Sequence, residues 1–147
     1  MQNKINNCYR QFILIIIFIL FLINGETFGE DMQNITLKTE NAEYEAVLYD
    51  NSTVKELIKN FPMTITMSDL HENEKYYNLS KKFPTSNESV SQINKGDIML
   101  FGDNCLVIFY KSFSTYYRYT RLGYIKNSDD LENSFGKGDI RITFEIK

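Results

Sequence analysis

The chain has 147 residues, of which 14% are aromatic, and a formal net charge of −3. That length fits a single domain behind a short leader. Acidic and basic residues are interspersed and form no clustered basic surface, so the sequence predicts no nucleic-acid partner.

The N-terminus has the layout of an export signal. Lys4 and Arg10 precede or flank an uncharged apolar run, residues 12–23. This run is shorter than the roughly 20 residues that a membrane-spanning helix needs, and it matches the apolar region of a secretory signal. We therefore predict that residues 1–29 are a signal peptide or, alternatively, an N-terminal membrane anchor whose apolar run attaches the protein to the membrane. In both cases residues 30–147 form an exported domain, secreted or periplasmic.

Eight β-strands are predicted behind this segment. Alternating or continuous apolar residues between turn-forming residues indicate each of them. They cover residues 35–39, 43–49, 64–68, 74–77, 98–101, 105–110, 117–124 and 140–147. Residues 78–95, rich in Ser, Asn and Lys, are predicted to be the longest irregular segment.

Two short helices interrupt the strands. Thr53 and Glu56 have the spacing of a capping box, and Pro62 is expected to end this first helix. Ser128 is predicted to cap the second helix, which should end near Gly136. The apolar faces of both helices are expected to close the two ends of a barrel.

Three segments carry a family resemblance: LYDN at residues 48–51, MSDLH at 67–71, and the three-strand run GDIMLFGDNCLVIFYKSFSTYYRYTRLGYI at 96–125. They are similar to the bacterial cyclophilin-like fold family of small β-barrel proteins. The resemblance covers residues 35–146 and implies a mainly β fold, a closed eight-stranded β-barrel with two short helices. It implies no agreed function. Many short strands with two amphipathic helices independently favour a barrel or a sandwich.

Neither a metal site nor a cofactor is predicted. His71 is the only histidine, which excludes a two-histidine metal site and leaves one residue for any histidine-based catalysis. Behind the leader Cys105 is the only cysteine, so that no disulfide forms within the domain, and its apolar strand predicts a structural thiol. No Gly-x-Ser-x-Gly motif or Gly-rich phosphate loop is present.

An aromatic and arginine-containing segment supplies the candidate ligand-binding residues. The bend between two predicted strands carries Phe113 and Tyr116, and the strand after it carries Arg118 and Arg121. Tyrosine and arginine dominate binding hot spots because they combine apolar area with directed hydrogen bonds. Alternatively, these aromatics support the barrel wall. Strand alternation predicts Tyr117, Tyr119, Arg121 and Gly123 on one face, and Arg118, Thr120, Leu122 and Tyr124 on the other. His71, in an acidic bend, is a further binding candidate.

Two functions remain open. The first is a non-catalytic module that binds a peptide or small ligand. The second, suggested by resemblance to the cyclophilins, is a peptidyl-prolyl cis–trans isomerase in which Arg118 or Arg121 imitates the arginine that hydrogen-bonds the prolyl nitrogen. The Phe-His-Arg strand motif of those enzymes has no match here, and the chain has no tryptophan. The ligand and the oligomeric state are not predicted.

Overall fold

Antiparallel pairing joins the eight predicted strands into a closed barrel. The computed structural model describes residues 32–147; the predicted signal or anchor, residues 1–29, lies outside them. The barrel strands are β1 (Gln33–Lys38), β2 (Glu43–Leu48), β3 (Met63–Leu70), β4 (Glu74–Asn78), β7 (Asp97–Phe101), β8 (Cys105–Phe109), β10 (Arg118–Ile125) and β11 (Ile140–Ile146). Their order is β2-β1-β11-β3-β4-β8-β7-β10, and β10 pairs with β2. The predicted closed eight-stranded barrel is confirmed.

Three additional strands of two residues each lie outside the barrel wall. They are β5 (Glu88–Ser89), β6 (Gln92–Ile93) and β9 (Phe113–Ser114). β5 continues the barrel sheet beside β10, whereas β6 and β9 form a separate pair. The segment predicted to be irregular therefore contains two short strands, which are too short to produce an alternating sequence pattern.

Both predicted helices are present, but their first residues differ from the prediction. Helix α1 spans Ser52–Leu57 and continues as a 3-10 helix, Ile58–Asn60. Its N-cap is Asn51, whose side-chain oxygen accepts a hydrogen bond from the Val54 amide at 2.9 Å. The predicted capping box at Thr53 is wrong because Thr53 is buried inside the helix and its hydroxyl donates to the Pro84 carbonyl at 2.6 Å.

The second helix, α2, spans Leu131–Phe135 and ends at Gly136, as expected. Its N-cap is Asp130, not Ser128. Ser128 contributes its backbone carbonyl, which accepts from the Leu131 amide at 3.2 Å, so the chain turns there before the helix begins.

The interior of the barrel is filled by one apolar cluster, here called the interior cluster. Strand side chains provide most of it. Val54 and Leu57 from α1, Leu131 and Phe135 from α2, and Leu79 and Phe83 from the 78–95 segment also belong to it. The buried strand members include Ile35, Leu37, Ala46, Leu48, Ile65, Met67, Ile98, Leu100, Leu106, Ile108, Leu122, Ile125, Ile142 and Phe144. Each fully buried aliphatic side chain contributes about 1.5–3 kcal/mol to folding. The two helices thus pack their apolar faces onto the barrel interior.

Closure of the barrel depends on Gly123. A Cβ atom at this position would lie 2.0 Å from the carbonyl oxygen of Val47 on β2, a distance that real Cβ atoms do not reach. The pairing of β10 with β7 also shifts between Arg121 and Gly123, which marks a β-bulge at Leu122. The predicted alternation holds as far as Leu122, which is in the interior cluster, but is wrong beyond it: Tyr124, predicted to share the face of Leu122, is exposed, and Ile125 is in the interior cluster instead.

A second apolar group, here called the outer cluster, covers the outside of the same strands. Its buried members are Val90, Ile93, Met99, Val107, Phe109 and Tyr119. Met99 and Val107 alternate with interior residues along β7 and β8, which places them on the opposite face of the wall. Val90 and Ile93 come from the segment predicted to be irregular, so this segment packs onto the barrel.

Candidate functional site

A half-open groove of about 900 Å³ lies on the outside of the barrel, beside the outer cluster. Its floor comes from β4 and β8, where Tyr76 and Val107 are directly paired across the two strands. One wall is the aromatic bend, residues 112–116, and the other comes from the β3–β4 turn. A cavity of this volume with a mainly apolar lining and a few polar groups is typical of ligand sites.

The aromatic bend is held to the barrel from both sides. Strand β9, which lies within the bend, pairs with β6, and the Thr115 amide donates to the Ser91 carbonyl at 3.1 Å. The Ser112 hydroxyl accepts from the Lys95 amide at 2.8 Å. The Phe113 ring lies 5.7 Å from that of Phe109 in the outer cluster. Although its backbone is anchored, Tyr116 is fully exposed at the groove, at 102% relative accessibility.

The opposite wall contains a tight turn with unusual backbone angles. His71 and Glu72 both have φ of 54°, and the Asn73 amide donates to the Leu70 carbonyl at 3.2 Å. Positive φ at both central residues is the pattern of a type I′ hairpin turn, which favours Asn and Gly over these residues. The Asp69 carboxylate helps to hold the turn by accepting from the Glu72 amide at 3.1 Å. The turn places His71 in the lining of the groove.

Glu74, the first residue of β4, is the most perturbed acid of the groove. Burial and then the negative charge of Asp69 raise the pKa of Glu74 to about 7. In the described chain its carboxylate has no hydrogen-bond or ion-pair partner. Near neutral pH this carboxyl group therefore exists in both protonation states.

The charge of Glu74 also acts on its neighbours in the groove. Burial and then Glu74 raise the pKa of the Cys105 thiol, so its reactive thiolate form is disfavoured. Burial and then Glu74 likewise raise the pKa of Tyr119 to about 12. Cys105 is half-buried and lines the groove rather than lying fully inside a strand pair. Cys105 is thus a neutral thiol and Tyr119 a neutral phenol.

Another unpartnered acceptor lies beside Glu74. Within residues 32–147, the side-chain Oδ1 of Asn73 is the one buried side-chain polar atom without a hydrogen-bond partner. Asn73 also lines the groove. Its backbone is well satisfied, because its carbonyl accepts from the Tyr110 and Lys111 amides at 3.0 and 3.3 Å.

The structure brings three of the five predicted binding residues to the groove, His71, Phe113 and Tyr116. The two arginines do not line it. Arg118 donates to the Asn87 carbonyl at 2.7 Å, and Arg121 forms an ion pair with Glu88 at 2.6 Å. Their partners both lie in the 78–95 segment, which the sequence analysis did not connect to this strand.

Sequence reasoning missed Asn73 and Glu74 as groove residues. Glu74 shares its strand face with Tyr76, and this spacing of two was visible in the sequence. No sequence signal indicated that the aromatic bend lies over this face of the barrel. In the part of the chain that the structure describes, no group of three His, Cys, Asp or Glu side chains could hold a metal ion.

The sequence profile of the Cyclophilin-like family matches residues 37–145. This chain belongs to the Cyclophilin-like family. Among solved structures, a similar fold is found in the solution structure of a hypothetical protein from Archaeoglobus fulgidus, with a TM-score of 0.57 and 18% sequence identity. The alignment covers 84% of this chain and 99% of the archaeal one. Among curated proteins, none matches the chain.

Membership of this family supports the barrel but assigns no residue of the groove to a reaction. Between residues 32 and 147, no helix is both long and apolar enough to span a bilayer. The groove is therefore interpreted from its own geometry.

Proposed function

We propose that this protein is an exported binding module that holds a peptide or small ligand in the outer groove. The observation that carries the proposal is the groove itself, about 900 Å³ in volume, with Phe113 and Tyr116 presented on an anchored bend. An anchored bend loses little conformational freedom when a ligand binds, which favours affinity. The basic and apolar pattern of residues 1–29 supports export.

The exposed aromatic side chains support the same proposal. Phe101 and Tyr117 are both exposed at the edge of the groove, and their rings lie 5.8 Å apart in an edge-to-face arrangement. Together with Tyr116 they extend the apolar lining onto the surface. Contiguous exposed apolar patches on soluble domains mark interaction sites.

A neutral fluorescent probe tests this function. Protein expressed from the full-length sequence is titrated with N-phenyl-1-naphthylamine, and saturable binding is expected. Tyr116→Ala should weaken binding at least about threefold, because exposed aromatic anchors supply much of the affinity at such sites. Tyr124→Ala, which changes an exposed tyrosine outside the groove, is the matched control. Unsaturable binding, or equal affinity in all three proteins, would contradict the proposal.

Prolyl isomerisation stays the alternative prediction. An isomerase of the predicted type needs an arginine within reach of the bound proline, and Arg118 and Arg121 both have partners outside the groove. A coupled proline-isomerisation assay on the same protein, with Arg121→Ala alongside, tests it. If the protein catalyses isomerisation and the folded Arg121→Ala variant does not, the function is that of an isomerase and not of a binding module.

A further inference from the structure

The outer groove contains hydrogen-bond acceptors that no protein donor satisfies. Asn73 Oδ1 is buried without a partner, and the neighbouring carboxylate of Glu74 has none in the described chain. Both residues line the groove. Buried acceptors are nearly always paired in folded proteins, so an unpaired one is destabilising unless something outside the protein completes it. The Asn73 oxygen is inaccessible from the groove, whereas the Glu74 carboxylate is accessible there, so Glu74 indicates a ligand that donates hydrogen bonds.

The charge of the groove indicates the sign of that ligand. Over residues 32–147, no lysine or arginine lines the groove, whereas Glu74 does; Asp103, the other acid of the lining, is paired with Lys82 at 2.7 Å. The nearest buried cation, Lys75, follows Glu74 in sequence but faces into the barrel. There its ammonium group donates to the Asp69 carboxylate and to the Gly136 and Gly138 carbonyls at 2.7–2.8 Å. An ammonium group has three donors, so Lys75 has none left for Glu74.

The aromatic lining adds to this preference. Tyr76, Tyr119 and Phe113 line the groove together with the acceptors. The faces of aromatic rings carry partial negative charge and attract ammonium groups within about 6 Å of the ring centre. Their apolar area also packs against the carbon skeleton of a ligand.

Resting on the function proposed above, we propose that the outer groove binds a protonated primary amine, whose N–H groups donate to Glu74 and whose carbon skeleton packs on the aromatic lining. The ammonium group can come from a free amine or from the basic side chain of a peptide.

Binding of a cation should release a proton. The titratable groups that interact electrostatically with Glu74 are Asp69 on β3, Cys105 on β8 and Tyr119 on β10, and His71 lines the same groove. None of them is a fixed positive charge that would keep Glu74 ionised. Because the pKa of Glu74 is about 7, a fraction of the molecules carries the proton at pH 6.5. A bound ammonium group favours the carboxylate, so this proton leaves when the amine binds.

Isothermal titration calorimetry on the full-length protein tests the proposal. The probes are phenethylammonium and its neutral analogue 2-phenylethanol. At pH 8 we expect the cation to bind at least about tenfold more tightly than the alcohol, because hydrogen bonds between charged groups are stronger than those between neutral groups. In Glu74→Gln the affinity for the cation should fall to that for the alcohol. Glu72→Gln makes the same change on the same turn outside the groove and should retain the preference.

Proton release is the second measurement. Titrations with phenethylammonium at pH 6.5 in two buffers of different ionisation enthalpy should show release in the unchanged protein and none in Glu74→Gln. Equal binding of cation and alcohol, or a preference that survives Glu74→Gln, would overturn the proposal. If the alcohol and the neutral naphthylamine probe bind and the cation binds no more tightly than the alcohol, the amine proposal is wrong but the binding function stands. If no probe binds, the binding function fails with it.

A third probe distinguishes the two sources of the ammonium group. Nα-acetyl-lysine amide presents it on a peptide backbone, whereas phenethylammonium presents it as a free amine. Tighter binding of the lysine derivative, lost in Glu74→Gln, would assign the groove to basic peptide side chains. The reverse order, with the same loss, would assign it to free amines.

Discussion

Glu74 and Lys75 are neighbours on β4 and carry opposite charges, yet their surroundings differ completely. Lys75 points into the barrel and is 0% exposed, and all three of its N–H donors have oxygen partners. Glu74 points outward into the groove and has no hydrogen-bond partner in the described chain. A buried charge whose hydrogen bonds are all made stabilises the contacts between its strand and its partners. A carboxylate without such partners destabilises the fold locally, and a ligand that donates hydrogen bonds to it offsets this cost. One strand thus separates the interior of the barrel, where the charge is paired, from the outer face that carries the groove.

The inner side of this comparison is tested by Lys75→Met, which keeps the length of the side chain but removes its charge. The Asp69 carboxylate and the Gly136 and Gly138 carbonyls would lose their donor. We expect the free energy of unfolding to fall by about 3–5 kcal/mol, the usual effect of breaking a buried ion pair from one side. Urea denaturation followed by circular dichroism measures it.

The control for this prediction is Lys55→Met, which breaks the exposed ion pair of Lys55 with Asp50. Its expected effect is below about 1 kcal/mol, as for most surface pairs. A loss of similar size in the two variants would show that the interior ammonium group does not stabilise the fold.

In the unchanged protein, burial opposes ionisation of Asp69, but hydrogen bonds from Lys75 and Tyr110 outweigh it and lower the pKa of this carboxyl group.

The outer side is tested by the pH dependence of stability in Glu74→Gln. The pKa of Glu74 is about 7 in the folded protein and near 4.5 in its ordinary state, so the folded state binds the proton more tightly. The free energy of unfolding should therefore fall as pH rises from about 4.5 to 7. Glutamine never ionises, so the variant should be more stable than the unchanged protein at pH 8, by about 1–2 kcal/mol after allowance for partial exposure.

Urea denaturation of both proteins at pH 5 and pH 8 measures this difference. At pH 5 the difference should be much smaller, because Glu74 is then mostly protonated in the folded protein. A variant that is less stable than the unchanged protein at pH 8 would mean that the carboxylate has a stabilising partner, contrary to the comparison with Lys75.

The smallest expected effect concerns the turn that joins the two faces. His71 has a φ of 54°, a conformation that asparagine adopts more readily than most residues. His71→Asn should therefore be more stable than His71→Ala by about 0.5–1 kcal/mol, since both remove the imidazole and differ in backbone preference. Thermal denaturation of the two variants side by side measures the difference. Equal melting temperatures would indicate that the turn relaxes its backbone without loss.

The barrel was predictable because its strands are marked by repeated local patterns. β11, for example, alternates Ile142 and Phe144 with polar residues, and both are buried as the pattern predicts. The family resemblance then distinguished a barrel from a sandwich. Ile146 follows the same alternation but is 52% exposed, because it lies at the end of the strand.

The errors arose where tertiary contacts override local sequence. The bulge at Leu122 reverses the alternation in β10, and it lies beside the close approach of Gly123 to β2, a long-range contact that the local sequence does not indicate. Thr53 has the spacing of a cap, but its hydroxyl is used by Pro84, more than thirty residues away in the chain. Such long-range partners leave no periodic signal.

The candidate site was only partly predictable for the same reason. Phe113 and Tyr116 were recognisable because a bend between strands has little need of aromatic residues. Asn73 and Glu74 share the groove with the aromatic bend only because the closed barrel brings these distant segments together. The packing of Val90 and Ile93 onto the wall was equally invisible in a segment of polar composition.

The two apolar clusters of this domain have separate membership, since residues of the aromatic bend pack on the outer cluster and not on the interior one. Substitutions at exposed positions of the bend, such as Tyr116, therefore leave the barrel interior untouched. The outer face of this barrel can therefore change in sequence while its interior packing, and with it the folding stability, is preserved.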